Sequence, residues 1–528
     1  MSSQESFVQS IQSGYSFKGE SFVIGGAMYG KHPLESVQVR LPLKTMNRHG
    51  LIAGATGTGK TKTLQALAEQ LSNASVPVLL MDIKGDLSGI AAPGESNSHI
   101  EDRVKKIGIN FAPAKLPVEL LTISDEPGAR LRATVIEFGP LLISRILGLN
   151  DTQEGVLAMI FKYCDDNQLP LLDLKDLIRV LQFVSNEGKA VVEKEYGKIS
   201  TTSTGTILRK VIELQQQGAD VFFGEPSFDV NDLMRISDDG RGVVNVLRVT
   251  DLQTRPKLFS TFMLSLLAEL YATLPEEGDM DKPKLVMFID EAHLVFQEAT
   301  DALLQQIETV IKLIRSKGVG IFFCTQNPQD VPAPVLSQLG LKVQHALRAF
   351  TAADRKVIKQ AAENYPISEH YDVDTLITEL GIGEAFVTGL NEKGIPTPLV
   401  HTLIVPPSTR MDTLGDDEID EIVGRSRLVR KYDQTIDSES AHEILTERLQ
   451  QSEEDAQEAK REAEAQKSTA PRTRGTSRQE KSTLETILDN SVTRQVGRTA
   501  ANVITRSLLG ALGLSSGTRR RKKSNSWF

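Results

Sequence analysis

The stretch Gly54-Ala55-Thr56-Gly57-Thr58-Gly59-Lys60-Thr61 fits the pattern G-x-x-x-x-G-K-[ST] and decides the fold. The apolar residues 50–53 before it predict a short strand, and residues 63–71 after it predict a helix. A glycine-rich turn between a strand and a helix points successive backbone N–H groups at one place, next to the positive end of the helix dipole. The stretch is therefore predicted to be a phosphate-binding loop.

Each residue type in this loop has a part in binding a nucleoside triphosphate. Lys60 would reach the β- and γ-phosphates, and the Thr61 hydroxyl would be a ligand of Mg²⁺. The glycines let the backbone make the turn without clashes. The predicted nucleotide-binding residues are Gly54, Ala55, Thr56, Gly57, Thr58, Gly59, Lys60, Thr61 and Lys62.

The composition is that of an ordinary globular protein, and the length suggests two to four domains or one large domain with insertions. The chain has 528 residues, 40% of them hydrophobic and 24% charged, and its formal net charge of −9 gives no global case for nucleic-acid binding. Cys164 and Cys324 are the only cysteines, so a disulfide framework is not expected. The first twenty residues carry no apolar signal region and no run of eighteen apolar residues occurs, which predicts a cytoplasmic protein without a transmembrane segment.

A second motif, Leu285-Val286-Met287-Phe288-Ile289-Asp290-Glu291, is an apolar strand that ends in two carboxylates. Beside a phosphate loop, Asp290 would orient the Mg²⁺ shell opposite Thr61. Glu291 would take a proton from the water that attacks the γ-phosphate. Residues 82–86 close another apolar strand, and for them a plain strand exit and a role near the nucleotide are equally open.

Three further side chains are candidates for completing the site. Gln326 follows the apolar strand of residues 320–325 and would hydrogen-bond the attacking water and the γ-phosphate as a sensor, the alternative being an amide that only satisfies backbone groups. Arg315, at a helix end, would reach a neighbouring subunit's γ-phosphate, with Arg348 as its rival. Basic residues at a helix C-terminus also suit the helix dipole alone, which leaves a purely structural role for Arg315 open.

The order of predicted elements suggests one core with an insertion and a tail. Residues 1–48 are a polar lead with β-prone pieces, residues 49–86 and 241–410 form the phosphate-loop core, and residues 87–240 are predicted to be an all-helical insertion. Residues 411–480 contain a charged helix that runs into a flexible linker. Residues 481–528 start with a capping box at 482–485, continue as an amphipathic helix to about residue 512 and end in a basic tail at 519–523. That helix would dock on a neighbouring subunit, on another protein partner or on the chain's own core, with binding to a membrane surface as a less favoured alternative.

The phosphate loop, the strand end Ile289-Asp290-Glu291-Ala292-His293 and the strand end Cys324-Thr325-Gln326-Asn327-Pro328 together resemble the HerA/FtsK superfamily of ring-forming ATPases, and specifically the bacterial HerA-like ATPases. The resemblance covers roughly residues 20–410. It implies an α/β fold with a RecA/ASCE-type, mostly parallel sheet in the order 5-1-4-3-2. It also implies ATP and Mg²⁺ as ligands, Glu291 as the activating carboxylate, Gln326 as sensor, an arginine supplied across a subunit boundary, and a hexamer.

Two functions remain open from the sequence. One is a ring motor on double-stranded DNA, for which Arg103-Val104-Lys105-Lys106 and Arg209-Lys210 are candidate basic loops. The other is a nucleotide-gated ATPase that remodels or recruits a protein, because only 53 residues precede the phosphate loop, where DNA-translocating members carry a β-barrel or a DNA-reading domain. No Asn-Lys-x-Asp segment appears, which favours ATP over GTP.

Overall fold

A computed structural model describes residues 3–251, 255–278, 280–296, 301–349, 351–434, 436 and 438–469. Its strands are β1 (Ser21–Tyr29), β2 (His32–Pro42), β3 (Gly50–Ala53), β4 (Val78–Asp82), β5 (Val118–Thr122), β6 (Ala129–Arg130), β7 (Val244–Arg248), β8 (Leu285–Ile289), β9 (Val319–Thr325), β10 (Leu341–His345), β11 (Glu384–Thr388) and β12 (Val400–Ile404).

Helices cover both faces of the sheet formed by these strands. They are α1 (Ser3–Gly14), α2 (Lys60–Asn73), α3 (Ser98–Ile107), α4 (Val135–Ile146), α5 (Asp151–Asp166), α6 (Leu174–Ser185), α7 (Lys189–Tyr196), α8 (Thr201–Gln216), α9 (Pro256–Thr273), α10 (His293–Phe296), α11 (Asp301–Ile314), α12 (Ala333–Leu336), α13 (Ala352–Glu363), α14 (Val373–Glu379), α15 (Asp416–Arg425), α16 (Arg427–Tyr432) and α17 (Ala441–Thr469). None of the helices in the described part of the chain is long and apolar enough to cross a membrane.

All twelve strands belong to one sheet in the order β2-β1-β12-β11-β10-β3-β9-β8-β4-β7-β5-β6. Its middle, β10-β3-β9-β8-β4, is parallel throughout and carries the predicted 5-1-4-3-2 order, which is confirmed. In a parallel sheet the carboxyl ends of the strands share one edge, and ligands bind there. The phosphate loop after β3 and the carboxylates after β8 therefore lie at the same edge.

The strands of the core are buried on both faces, as expected for a parallel sheet covered by helices. In β4, Leu79 and Met81 pack into one hydrophobic cluster with α9 and α11, while Val78 and Leu80 pack into another with α2. This explains why the strand reads as an unbroken apolar run.

The prediction that residues 87–240 are all helical is wrong in one respect. The segment does contain six α-helices, α3 to α8, but it also contributes β5 and β6, which extend the sheet beyond β7. β5 pairs in parallel with β7, more than 120 residues further along the chain. A five-residue strand whose partner is so distant leaves no helical or strand period that a local reading can detect.

The polar lead and the charged region near the C-terminus also contain helices with buried apolar residues. The lead contains α1, which buries Phe7 and Ile11, and β1 and β2 pair antiparallel at the sheet edge. The charged region forms α17, whose residues Ala441 and Leu445 are buried. The linker from residue 470, the capping box, the amphipathic helix and the basic tail lie outside the described residues.

His49, directly before β3, connects the phosphate-loop strand to its neighbours. Its Nδ1 accepts a hydrogen bond of 3.0 Å from the Ile321 N–H of β9, so Nε2 carries the proton and donates to the Ile311 carbonyl of α11 at 2.9 Å. The ring is buried, with φ at 56°, and burial lowers the pKa of His49 to about 4. Only the neutral ring satisfies both contacts.

We expect the stability of the protein to depend on pH through this histidine. Because the folded-state pKa is lowered from 6.5 to about 4, the unfolded chain binds the proton first, and stability is lost as the pH falls below about 6.5. His49 should reduce the free energy of unfolding by about 2 kcal/mol between pH 7 and pH 5. Urea unfolding of wild type and His49→Asn at both pH values tests this, since asparagine tolerates the left-handed backbone and does not titrate.

The matched control is His99→Asn, the same substitution at an exposed histidine. It should keep the full pH dependence of the wild type. If His49→Asn also keeps it, the neutral ring does not contribute to the acid sensitivity.

Candidate nucleotide site

The phosphate loop is held open by three glycines with positive φ. Gly54, Gly57 and Gly59 have φ values of 151°, 77° and 110°. A Cβ on Gly54 would lie 2.5 Å from the Cβ of His345, and one on Gly59 would lie 3.2 Å from the Gly383 nitrogen. Glycine is required at these two places by both the backbone angle and the close neighbour.

Lys60 begins α2 at the bottom of this loop. Its Nζ donates to the Ala55 carbonyl at 3.2 Å, and the side chain is 7% exposed. Burial lowers the pKa of Lys60, and the nearby Lys84 lowers it further, while Glu291 and Asp290 act in the opposite direction. The ammonium group therefore lies within electrostatic range of both predicted carboxylates.

Asp290 and Glu291 follow β8, two strands away from β3. Asp290 is 2% exposed, and burial raises its pKa to about 6, with Lys84 opposing the rise. Glu291 has φ at 46°, a left-handed conformation that is costly for this residue type and is typical of functional sites. The Ala292 N–H donates to the Cys324 carbonyl of β9 at 2.9 Å, which fixes the turn that carries Glu291.

The arrangement fits a magnesium ion. Asp290 Oδ2 is buried and has no hydrogen-bond partner among the described residues, which leaves an anionic oxygen that a cation shell would satisfy. Thr61, the next residue after Lys60, offers a hydroxyl at the first turn of α2. No group of three or more His, Cys, Asp or Glu side chains in the described ranges could hold a metal by itself. Mg²⁺ at nucleotide sites is held by one or two carboxylates together with water and phosphate oxygens, so Asp290 and Thr61 would be its ligands from the protein.

The other predicted side chains lie at different distances from Lys60, Asp290 and Glu291. Gln326 is exposed and follows β9, the strand between β3 and β8, so its position suits a sensor. Arg315 precedes β9 and is exposed at the opposite edge of the sheet, about 20 Å away along the strand. Arg348 follows β10, at the sheet edge that carries the phosphate loop. Its Nη1 donates to the Thr378 carbonyl at 2.6 Å. Neither arginine is shown to touch the site of its own subunit.

Three residues of the site escaped prediction or were left undecided. Lys84 forms an ion pair with Glu291. His293 Nδ1 lies 3.1 Å from the other carboxylate oxygen of Glu291. His345 Nε2 shares a 2.9 Å hydrogen bond with the Thr63 hydroxyl, and burial lowers its pKa to about 4, so that it is neutral beside Lys60. Lys84 and His345 lie at strand ends, and this was the signal in the sequence that could have indicated a site role. Their contact partners could not be predicted, because they depend on which strands are neighbours in the sheet.

Two of the candidate DNA-binding residues make structural contacts instead. Arg103 donates to the carbonyls of Ile382 and Gly383 at 3.0 and 2.9 Å, and the Gly383 N–H in turn donates to the Thr58 carbonyl at 2.9 Å. Lys210 donates to the last carbonyls after α4, Leu147 and Gly148. Arg103 thus supports the phosphate loop rather than an open basic surface.

The segment after β12 is fixed to the helix of the phosphate loop. The buried Glu69 of α2 accepts hydrogen bonds from the Ser408 and Thr409 N–H groups at 2.8 and 2.9 Å, and Gln65 donates to the Arg410 carbonyl at 2.8 Å. Lys62 Nζ donates to the Met411 carbonyl. The Lys62 side chain therefore contacts this segment. Its backbone N–H is still predicted to bind the nucleotide.

A family model described as "Helicase HerA-like C-terminal" matches residues 29–521 of the chain. The chain belongs to this family. Membership, together with the phosphate loop, makes this HerA-like protein a P-loop ATPase.

Curated relatives agree with this assignment. The "DNA double-strand break repair helicase HerA" of Sulfolobus acidocaldarius is 22% identical over 382 residues, covering 71% of this chain and 69% of that protein. The protein of the same name from Saccharolobus solfataricus is 23% identical over 384 residues, covering 72% of this chain and 68% of that protein.

Among solved structures, the bacterial conjugative coupling protein TrwB matches with a TM-score of 0.48 and 14% identity over 76% of this chain and 94% of that chain. VirB4 of Thermoanaerobacter pseudethanolicus matches with a TM-score of 0.46 and 16% identity, covering 74% and 98%.

Proposed function

We propose that this HerA-like protein binds ATP with Mg²⁺ and hydrolyses it. The observation that carries the proposal is the buried pair Asp290 and Glu291 at the same sheet edge as Lys60, with a carboxylate oxygen of Asp290 left without a partner in the described part of the chain. Opposite charges and oxygen ligands at one edge are what phosphoryl transfer requires from a protein.

Each residue has a part in this reaction. The backbone of residues 54–62 would surround the phosphates, Lys60 would neutralise the β- and γ-phosphates, and Thr61 and Asp290 would hold Mg²⁺. Glu291 accepts a proton from water while the water oxygen bonds to the γ-phosphorus and ADP leaves with the bridging oxygen. Gln326 orients that water. An arginine of a neighbouring subunit, Arg315 or its rival Arg348, neutralises charge in the transition state.

We further propose that hydrolysis drives movement on double-stranded DNA by a homo-oligomeric, hexameric ring. The support is that the HerA relatives at 22% and 23% identity are named as DNA repair helicases. Such a motor binds the phosphate backbone mainly through basic side chains, and its DNA affinity falls steeply with salt.

Steady-state ATP hydrolysis with and without duplex DNA, at low and moderate salt, tests the DNA proposal. We expect DNA to raise the rate several-fold at low salt and less at moderate salt. Size-exclusion chromatography with light scattering, with and without ATP, tests the ring. Hydrolysis that is indifferent to DNA would instead favour the nucleotide-gated ATPase that acts on a protein partner. Hydrolysis of GTP at the same kcat/KM would contradict the preference for ATP.

A further inference from the structure

Lys84 follows β4, the strand next to β8, and lies at the same sheet edge as the carboxylates. Its ammonium group forms an ion pair with Glu291 Oε1, while His293 Nδ1 lies 3.1 Å from Oε2. The Lys84 side chain is 35% exposed, whereas that of Glu291 is only 7% exposed. Lys84 is therefore the accessible partner of the pair, and Glu291 is the buried one.

The ammonium group of Lys84 occupies the carboxylate oxygen of Glu291 that would receive a proton from water. The pair therefore has to open before that oxygen can take part in hydrolysis. Glu291 is buried, and the turn that carries it is fixed by the hydrogen bond from the Ala292 N–H to the Cys324 carbonyl, so the pair would open by movement of Lys84 rather than of Glu291.

The charges of the site supply the reason for such a movement. Lys60 and Lys84 lie among several carboxylates, with Asp86 acting on Lys84 beside Asp290 and Glu291, and Lys84 is close enough to Lys60 to disfavour its charged form. A γ-phosphate bound beside Lys60 adds a dense anionic group with several acceptor oxygens. Lysine on its long flexible stem binds such a group as a point charge.

We propose that Lys84 is a positioning residue that responds to the γ-phosphate: it pairs with Glu291 when the site holds no γ-phosphate and moves to the γ-phosphate when ATP binds. The move frees Glu291 to accept the proton of the attacking water. It also makes the binding of ATP stronger than that of ADP, because only ATP offers the second partner for Lys84. This inference rests on the proposed hydrolysis at the same site.

The test compares Lys84→Met, which has similar length and no charge, with Lys84→Arg and wild type. The readouts are the Kd values of ADP and of the slowly hydrolysed analogue ATPγS, both with Mg²⁺, and kcat for ATP. We expect Lys84→Met to weaken ATPγS binding by about 10- to 100-fold, the worth of one charged hydrogen bond, while the Kd of ADP stays within about twofold. The kcat should fall as well, and Lys84→Arg should recover part of the preference for ATPγS.

A double-mutant cycle with Glu291→Gln separates this role from a simple contact with phosphate. Glutamine cannot form the ion pair, so Glu291→Gln should strengthen ATPγS binding when Lys84 is present and have no such effect in Lys84→Met. The control is Lys162→Met, which removes an exposed ion pair with Asp166 and should change none of these values.

Three results would overturn the inference. The first is an unchanged preference for ATPγS over ADP in Lys84→Met. The second is a higher kcat in Lys84→Met, which would make Lys84 only an inhibitor of Glu291. The third is an equal loss of ADP and ATPγS affinity together with a lower melting temperature, which would mean a structural role. Failure of the proposed function is a separate result, because wild type would then bind nucleotide without hydrolysing it in any condition.

Discussion

We expect Glu291→Gln to bind ATP and to hydrolyse it far more slowly than the wild type. The substitution keeps the size of the side chain but removes the carboxylate that accepts the proton of water, a contribution worth about 10²- to 10⁴-fold in rate. We therefore expect kcat to fall by about that factor with the Kd of ATPγS equal to or lower than that of the wild type. Single-turnover hydrolysis of radiolabelled ATP, measured beside equilibrium binding, separates the two quantities.

The control for this variant is Glu154→Gln, the same substitution at a half-exposed carboxylate of α5 that pairs with Arg145. It should hydrolyse ATP at the wild-type rate. A Glu291→Gln protein that keeps more than about a tenth of the wild-type kcat would remove Glu291 from the role of general base and direct attention to Gln326.

The features predicted from sequence are those whose signal is local. The phosphate loop and the strand end at Asp290 and Glu291 each consist of an apolar strand followed at once by the functional residues, so a window of about ten residues contains all the information. The same holds for the helices of the insertion. The residue types are enough to predict these features, because the functional residues directly follow the strand in the chain.

The features that were missed depend on contacts between distant parts of the chain. Lys84 meets Glu291 only because β4 lies beside β8, and His345 meets Thr63 only because β10 lies beside β3. β5 is a strand because β7 offers it an open edge. In contrast, α1 did carry a local signal, since Phe7, Ile11 and Tyr15 recur every four residues and all are buried.

The role predicted for Arg315 also depends on contacts that the local sequence does not specify. Its sequence context, a helix end before an apolar strand, is the same whether it faces its own subunit or another one. The topology places it at the amino edge of β9, away from the phosphate loop that follows β3. A contribution of Arg315 to hydrolysis therefore requires a neighbouring subunit, and it remains a prediction together with the rival Arg348.

The second large effect is expected from Lys60→Met, which removes the buried ammonium group and keeps most of the stem. In the present structure that group has the Ala55 carbonyl as its hydrogen-bond acceptor at 3.2 Å and is almost fully enclosed. Phosphates bound in the loop would lose a buried charged partner, a change worth about 2–5 kcal/mol or about 30- to 5000-fold in affinity.

Thermal unfolding with increasing concentrations of ADP and Mg²⁺ measures this loss directly. A ligand that binds only the folded state raises the melting temperature in proportion to RT ln(1 + [L]/Kd), so wild type should be stabilised progressively and Lys60→Met should not. Lys162→Met again serves as the control, because it removes a lysine charge far from the loop, and it should respond to ADP as the wild type does. An equal rise of the melting temperature in Lys60→Met would mean that nucleotide binds elsewhere on the protein, and the assignment of residues 54–62 would fail with it.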